Sequence, residues 1–168
     1  MRLNSLTTVP VLLTATALAV VATASAHVRT ASGPAVLRAS FNKALTTSIL
    51  VDGRGRTLYV FASDTRGKPE CVGDLPFGGC GKTWPGFTAT GRPTAGPGVR
   101  ASLIGRLKRS DGRVQVSYKR HPLYFFAGYP PTPGDRKPGD VNGQTFGSQW
   151  YVLSPSGAVV KTRPKLNG

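Results

Sequence analysis

The sequence predicts an all-β, loop-rich fold of antiparallel hairpins in two degenerate tandem repeats, held by one disulfide. Three observations carry that expectation. The chain has 21 Gly and 14 Pro among 168 residues, and beyond residue 26 only Ala35 to Asp52 exceeds a dozen residues without either. Each costs a helix interior about 1 to 3 kcal/mol, so a helix bundle is excluded. Short runs rich in β-branched and aromatic residues alternate with turn clusters, the pattern of hairpins rather than of helices. Finally, Leu58-Tyr59-Val60-Phe61-Ala62 recurs as Leu123-Tyr124-Phe125-Phe126-Ala127, each followed by a lone tryptophan, Trp84 or Trp150. The Tyr pair is 65 residues apart and the Trp pair 66, and that agreement reads as a duplication.

Residues 1–26 carry Arg2, an apolar stretch from Val9 to Ala22, and Ala24-Ser25-Ala26, the small-x-small pattern of a signal-peptidase site. They read as a cleaved secretory signal, too short in its apolar part for a membrane span. The expected location is therefore extracytoplasmic and soluble. Residues 27–44 are polar and mixed and read as a flexible lead-in. The first repeat, 45–87, opens with Ser48 to Asp52, turns at Gly53 to Arg56 and returns through Thr57 to Ala62 as a hairpin, closed by an Asp64-Thr65-Arg66-Gly67 turn. Both faces of Leu58–Phe61 are apolar, which suits a central strand. A Gly- and Pro-rich linker spans 88–102. The second repeat, 103–168, holds a hairpin of Leu103–Arg109 and Arg113–Tyr118, the run His121–Gly128, and a last hairpin of Tyr151–Ser154 and Ala158–Val160 around Pro155-Ser156-Gly157.

Cys71 and Cys80 are the only cysteines. In an exported protein the default is an intrachain bridge, adding roughly 2.5 to 3 kcal/mol by restricting the unfolded chain. The alternative is a redox pair, which usually takes a C-x-x-C at a helix N-terminus. Two Cys and two His disfavour the usual zinc modules and exclude a four-cysteine iron–sulfur site within one chain.

These residues resemble a family of secreted repeats, often described as predicted lipoproteins, marked by a Tyr-x4-Asp motif. The resemblance covers about residues 45–157. It rests on Leu50-Val51-Asp52, Gly55 to Asp64, the Cys pair before Trp84-Pro85, His121 to Phe126, Lys137 to Asp140 with Asn142-Gly143-Gln144, and Trp150-Tyr151-Val152. It departs at Tyr129, which stands where the second motif Asp would fall, in the wide Cys spacing, and in the lack of a lipid-accepting Cys. The family's biochemical function is unknown, so the resemblance implies fold and location only.

The motif and ligand candidates are Tyr59, Phe61, Asp64, Tyr124, Phe126, Trp84 and Trp150. They read either as a core with Asp64 capping a turn, or as a ligand site joining the Tyr59 hydroxyl to the Asp64 carboxylate; with Tyr129 in place of the second Asp, at most one such site is expected. Charge points to a partner. There are 22 Lys and Arg against 7 Asp and Glu, a formal net of +15, and such a surface attracts polyanions. The best basic patch is Arg106, Lys108, Arg109, Arg113, Lys119 and Arg120. Nucleic acid is not the expected partner, for no binding motif is present.

The expected function is that of a non-catalytic cell-envelope or extracellular binding protein for an anionic polymer. The alternative is a copper or redox accessory protein. If cleavage follows Ala26, the amine and imidazole of His27 would offer copper two nitrogens, with His121 as a third. No cofactor is otherwise expected. No nucleophile motif, zinc-hydrolase helix or phosphate loop occurs, and Asp135, Asp140 and Asn142 lack calcium-loop spacing.

Overall fold

The computed structural model describes residues 34–73 and 80–165. The signal segment and His27 lie outside the described residues. The protein is mostly β, in several small and mainly antiparallel sheets with one short helix and a Cys71–Cys80 disulfide.

The first sheet corrects the expected lead-in. Strand β1, Val36–Asn42, pairs antiparallel with β2, Thr47–Asp52, over a ladder from Leu37 opposite Asp52 to Asn42 opposite Thr47. Much of β1 faces solvent, which gives it the polar look of a loose segment, yet Leu37 is fully buried and the Asn42 side chain accepts the Leu45 amide at 3.0 Å to fix the turn. The expected linker is also more ordered than its composition suggests, because β4, Thr94–Ala95, runs parallel to β1.

The first expected hairpin forms for only two residues. Its turn is built on Asp52, whose carboxylate accepts the amides of Arg54 and Arg56 at 2.9 Å each and pairs with the Arg56 guanidinium at 2.8 Å. The chain returns through a Val51–Thr57 bridge, and then β3, Tyr59–Phe61, departs. On one side it pairs with β10, Trp150–Leu153, and on the other Tyr59 exchanges both backbone hydrogen bonds with Tyr124 at 2.9 Å. An apolar strand on both faces gains more between two partners than at a hairpin edge. The strand from the first half is thus clasped by two segments of the second.

Two of the remaining hairpins, β5–β6 and β10–β11, follow expectation, and a third, β8–β9, was not expected. Strand β5, Ile104–Lys108, pairs with β6, Val114–Tyr118, which turns tightly into β7, His121–Pro122. Strands β8, Gly128–Tyr129, and β9, Thr132–Pro133, form a small ribbon. Strand β10 ends in a hairpin with β11, Val159–Val160. Among the described residues the one α-helix, α1, is a single turn, Cys80–Thr83; it begins at the disulfide and delivers Trp84. Two apolar clusters result. Tyr59 joins Trp84, Tyr124, Phe126 and Trp150, while Leu58 and Val60 join Leu50, Val116, Leu123 and Leu153. Alternation along one strand feeds both.

Candidate functional site

The motif residues converge, and they do so crosswise. The Tyr59 hydroxyl donates to Asp135 Oδ2 at 2.6 Å, and the Tyr124 hydroxyl donates to Asp64 Oδ1 at 3.2 Å. Each tyrosine therefore reaches the carboxylate of the other half. This overturns two expectations. Tyr129 does not replace the second motif Asp; it sits half-exposed at the β8–β9 ribbon, and Asp135, just past that ribbon, supplies the carboxylate. Two Tyr–Asp pairs exist where at most one was expected. Asp64 also does not cap its own turn two residues on. Its Oδ1 accepts the Glu70 amide at 2.8 Å, as Asp135 Oδ1 accepts the Asn142 amide at 2.8 Å.

The indoles repeat the crossing. Trp84 and Trp150 stack face to face, with ring centroids 3.8 Å apart and planes 2° from parallel. Tyr59 meets Trp84 edge-on at 5.4 Å and Tyr124 meets Trp150 edge-on at 5.2 Å, whereas Phe61 stacks on Trp150 and Phe126 lies tilted over Trp84. The backbone keeps the same pattern, since Val152 pairs with Tyr59 and Gly86 bridges Tyr124. All seven aromatic and carboxylate candidates thus lie in one centre, and Asp135 is the member that sequence reasoning missed.

The electrostatics of this centre are those of carboxyls short of water. Burial pushes Asp64 up to about 6, against the Glu70 amide and the Tyr124 hydroxyl that pull it down, and Asp64 Oδ2 is buried with no hydrogen-bond partner among the described residues. Burial likewise pushes Asp135 to about 6, against the Tyr59 hydroxyl and the Asn142 amide. Burial and the adjacent carboxylates push both phenols up. At neutral pH the tyrosines are donors. Packed this way, the centre fastens two chain segments.

The basic patch is divided by the structure. Arg109 is not a surface charge: it is 3% exposed, donating to Gln115 Oε1 at 2.5 Å, Asp111 Oδ2 at 3.1 Å and the Cys71 carbonyl at 3.4 Å. Arg113 is spent on Asp111, which it holds well below the usual carboxylate range. Arg106 and Lys108 project from β5 into solvent. Lys119 and Arg120 are exposed at the β6–β7 turn with φ of 48° and 67°, left-handed values that a two-residue hairpin normally gives to Asn-Gly. The Arg66-Gly67 turn docks on them through a hydrogen bond from the Gly67 amide to the Arg120 carbonyl at 2.9 Å. His121 follows, half-buried, its pKa lowered by burial and by the charges of Arg66 and Lys119.

No group of three or more His, Cys, Asp or Glu side chains able to hold a metal occurs among the described residues. Asp140 accepts the Arg136 and Lys137 amides, so it closes a turn. No helix among the described residues is long and apolar enough to cross a membrane.

Residues 105–154 match, as one copy, the model of a lipoprotein family described as a secreted repeat of unknown function. The chain matches no curated relative and no solved structure.

Proposed function

We propose that this is an extracytoplasmic, non-catalytic binding protein for an anionic polymer, its scaffold a tandem duplication locked by the crossed Tyr–Asp pairs. The observation that carries the reading is where the negative charge goes. Of the 7 acidic residues, six are described, and every one is engaged. Asp52 holds Arg56, Glu70 holds Lys68, and Asp111 holds Arg109 and Arg113. Asp64 and Asp135 take the two phenols, and Asp140 takes backbone amides. Arg66, Arg106, Lys108, Lys119 and Arg120 have no carboxylate partner among the described residues; Arg66, Lys119 and Arg120 gather at the β6–β7 turn, and Arg106 and Lys108 follow along β5 toward the other end of the hairpin. A fold that ties up its acids locally and presents its bases outward attracts polyanions at long range.

The Lys119-Arg120 turn adds independent support. Two non-glycine residues at positive φ cost on the order of 1 kcal/mol each, and strain of that kind is retained where the side chains serve something other than stability. The test is to restore the turn. A Lys119→Asn Arg120→Gly variant is expected to unfold at higher denaturant, by about 1 kcal/mol, and to elute from an immobilised polyanion at lower salt than the wild type. Unchanged elution in the more stable variant would remove this hairpin from the reading.

A further inference from the structure

We propose that an open cleft beside β5 is a site for an organic phosphate, a phosphate ester carried on a sugar or polyol; this rests on the anionic-polymer reading and names the unit that is recognised. The cleft holds about 400 Å³ and is lined by Arg92 and Arg106 together with Pro93, Ala95, Ala101 and Ile104. Its position follows from the topology. Strand β4 is the outer strand of the β2–β1–β4 sheet and β5 the outer strand of the β5–β6–β7 sheet, so the cleft is the gap between two sheet edges. Small side chains keep that gap open, and Gly105 completes its wall.

The chemistry of the gap is uneven in an informative way. Its two charged members are both guanidinium groups, neither has a hydrogen bond or ion pair among the described residues, and no carboxylate lines the cleft. Two like charges facing one cavity repel each other, and an anion between them removes that repulsion. Guanidinium forks match the oxygens of a phosphate with paired hydrogen bonds, which a lysine cannot do. The Pro, Ala and Ile carbons in its lining suit the carbon skeleton of a polyol, not a second charge. The volume lies near the lower end of small-ligand sites, enough for a monomer unit and too little for a folded partner.

The exposed turn at Lys119 and Arg120 differs in kind. It is an exposed two-residue turn that offers attraction without enclosure, so it would hold a polymer while discriminating little between its units. The cleft would supply the discrimination.

The experiment is an amide NMR titration of the whole purified protein with glycerol 3-phosphate, run beside galacturonate and inorganic sulfate, together with elution from immobilised poly(glycerol phosphate) and co-sedimentation with phosphatidylglycerol vesicles. Saturable shifts at Ala95, Ala101 and Ile104 to Arg106 are expected with glycerol 3-phosphate. They should weaken about tenfold in an Arg92→Gln Arg106→Gln variant and persist in a Lys119→Gln Arg120→Gln variant. Equal affinity for galacturonate or sulfate would overturn the phosphate-ester assignment, as would shifts confined to the 119–120 turn. Binding to vesicles without retention on the immobilised polymer would overturn the assignment to a polymer unit. If the polymer column retains the protein while the cleft amides stay unmoved, the cleft fails and the polyanion reading survives. If neither occurs, both fail.

Discussion

At the scale of single residues, the two Tyr–Asp pairs are alike in design and unequal in strength. Tyr59 donates over 2.6 Å and also accepts the Gly143 amide at 3.3 Å, whereas Tyr124 donates over 3.2 Å to a carboxylate whose second oxygen is unpartnered. Tyr59→Phe is therefore expected to cost about 2 kcal/mol and Tyr124→Phe clearly less, measured by denaturant unfolding. The pH dependence has a definite sign. Asp64 and Asp135 are raised to about 6, so folded protein binds their protons more tightly than unfolded protein does. Their contribution to stability is complete below about pH 4 and is lost as pH rises through about 6. His121, lowered by burial and by Arg66 and Lys119, acts oppositely, its share growing as pH climbs toward about 6.5. Comparison with single Asp64→Asn and Asp135→Asn variants separates the two. The wild type should lose more stability between about pH 4 and pH 7 than either variant, and a variant that loses as much would contradict the assignment. Tyr59, Phe61, Asp64 and both tryptophans were legible as a motif because they keep their spacing. Asp135 was not, because it stands eleven residues after its tyrosine where Asp64 stands five after its own, with the β8–β9 ribbon between, and no local signal marks that ribbon in a chain already full of Pro and Gly.

At the scale of elements, close packing decides which glycines are fixed. A Cβ on Gly143 would lie 2.6 Å from the Trp84 ring and 2.9 Å from the Phe126 ring. Gly143→Ala should therefore wedge the indole stack apart, costing about 1 to 3 kcal/mol and altering near-ultraviolet circular dichroism, where the stacked tryptophans absorb. Gly112 is one of several contrasting cases, with no atom among the described residues within 4 Å of its Cβ position, limited only by its φ of +81°. The hairpins whose turns are local were readable from sequence: Ser110-Asp111-Gly112 and Pro155-Ser156-Gly157 lie between β5 and β6 and between β10 and β11. What sequence could not supply was partnership across distance. Strand β1 looks polar because its value lies in the ladder it makes with β2, and β3 looks like half a hairpin because nothing near it in the chain announces Tyr124 or β10. Arg109 sits among the basic surface residues in sequence, and only the fold turns it inward toward Gln115 and the Cys71 carbonyl.

At the scale of the whole molecule, the halves are not independent. The centre is completed only when Asp64 meets Tyr124 and Asp135 meets Tyr59, and β3 has a partner on each side from beyond residue 120. A fragment of residues 103–168 alone would expose the Trp150 face and leave Asp135 without its phenol. It is expected to show no dispersed amide spectrum, and addition of a 27–102 fragment should restore one. Reduction of the Cys71–Cys80 bridge acts more gently, lowering stability by roughly 2.5 to 3 kcal/mol as the unfolded chain regains freedom. The same reciprocity reaches past one chain. Whatever complements the first half is present in the second half of every other copy, in identical form. Where the protein is crowded enough to rival the high local concentration of a chain's own second half, a partly opened chain can close on its neighbour instead, giving exchanged dimers built on the monomer's own contacts.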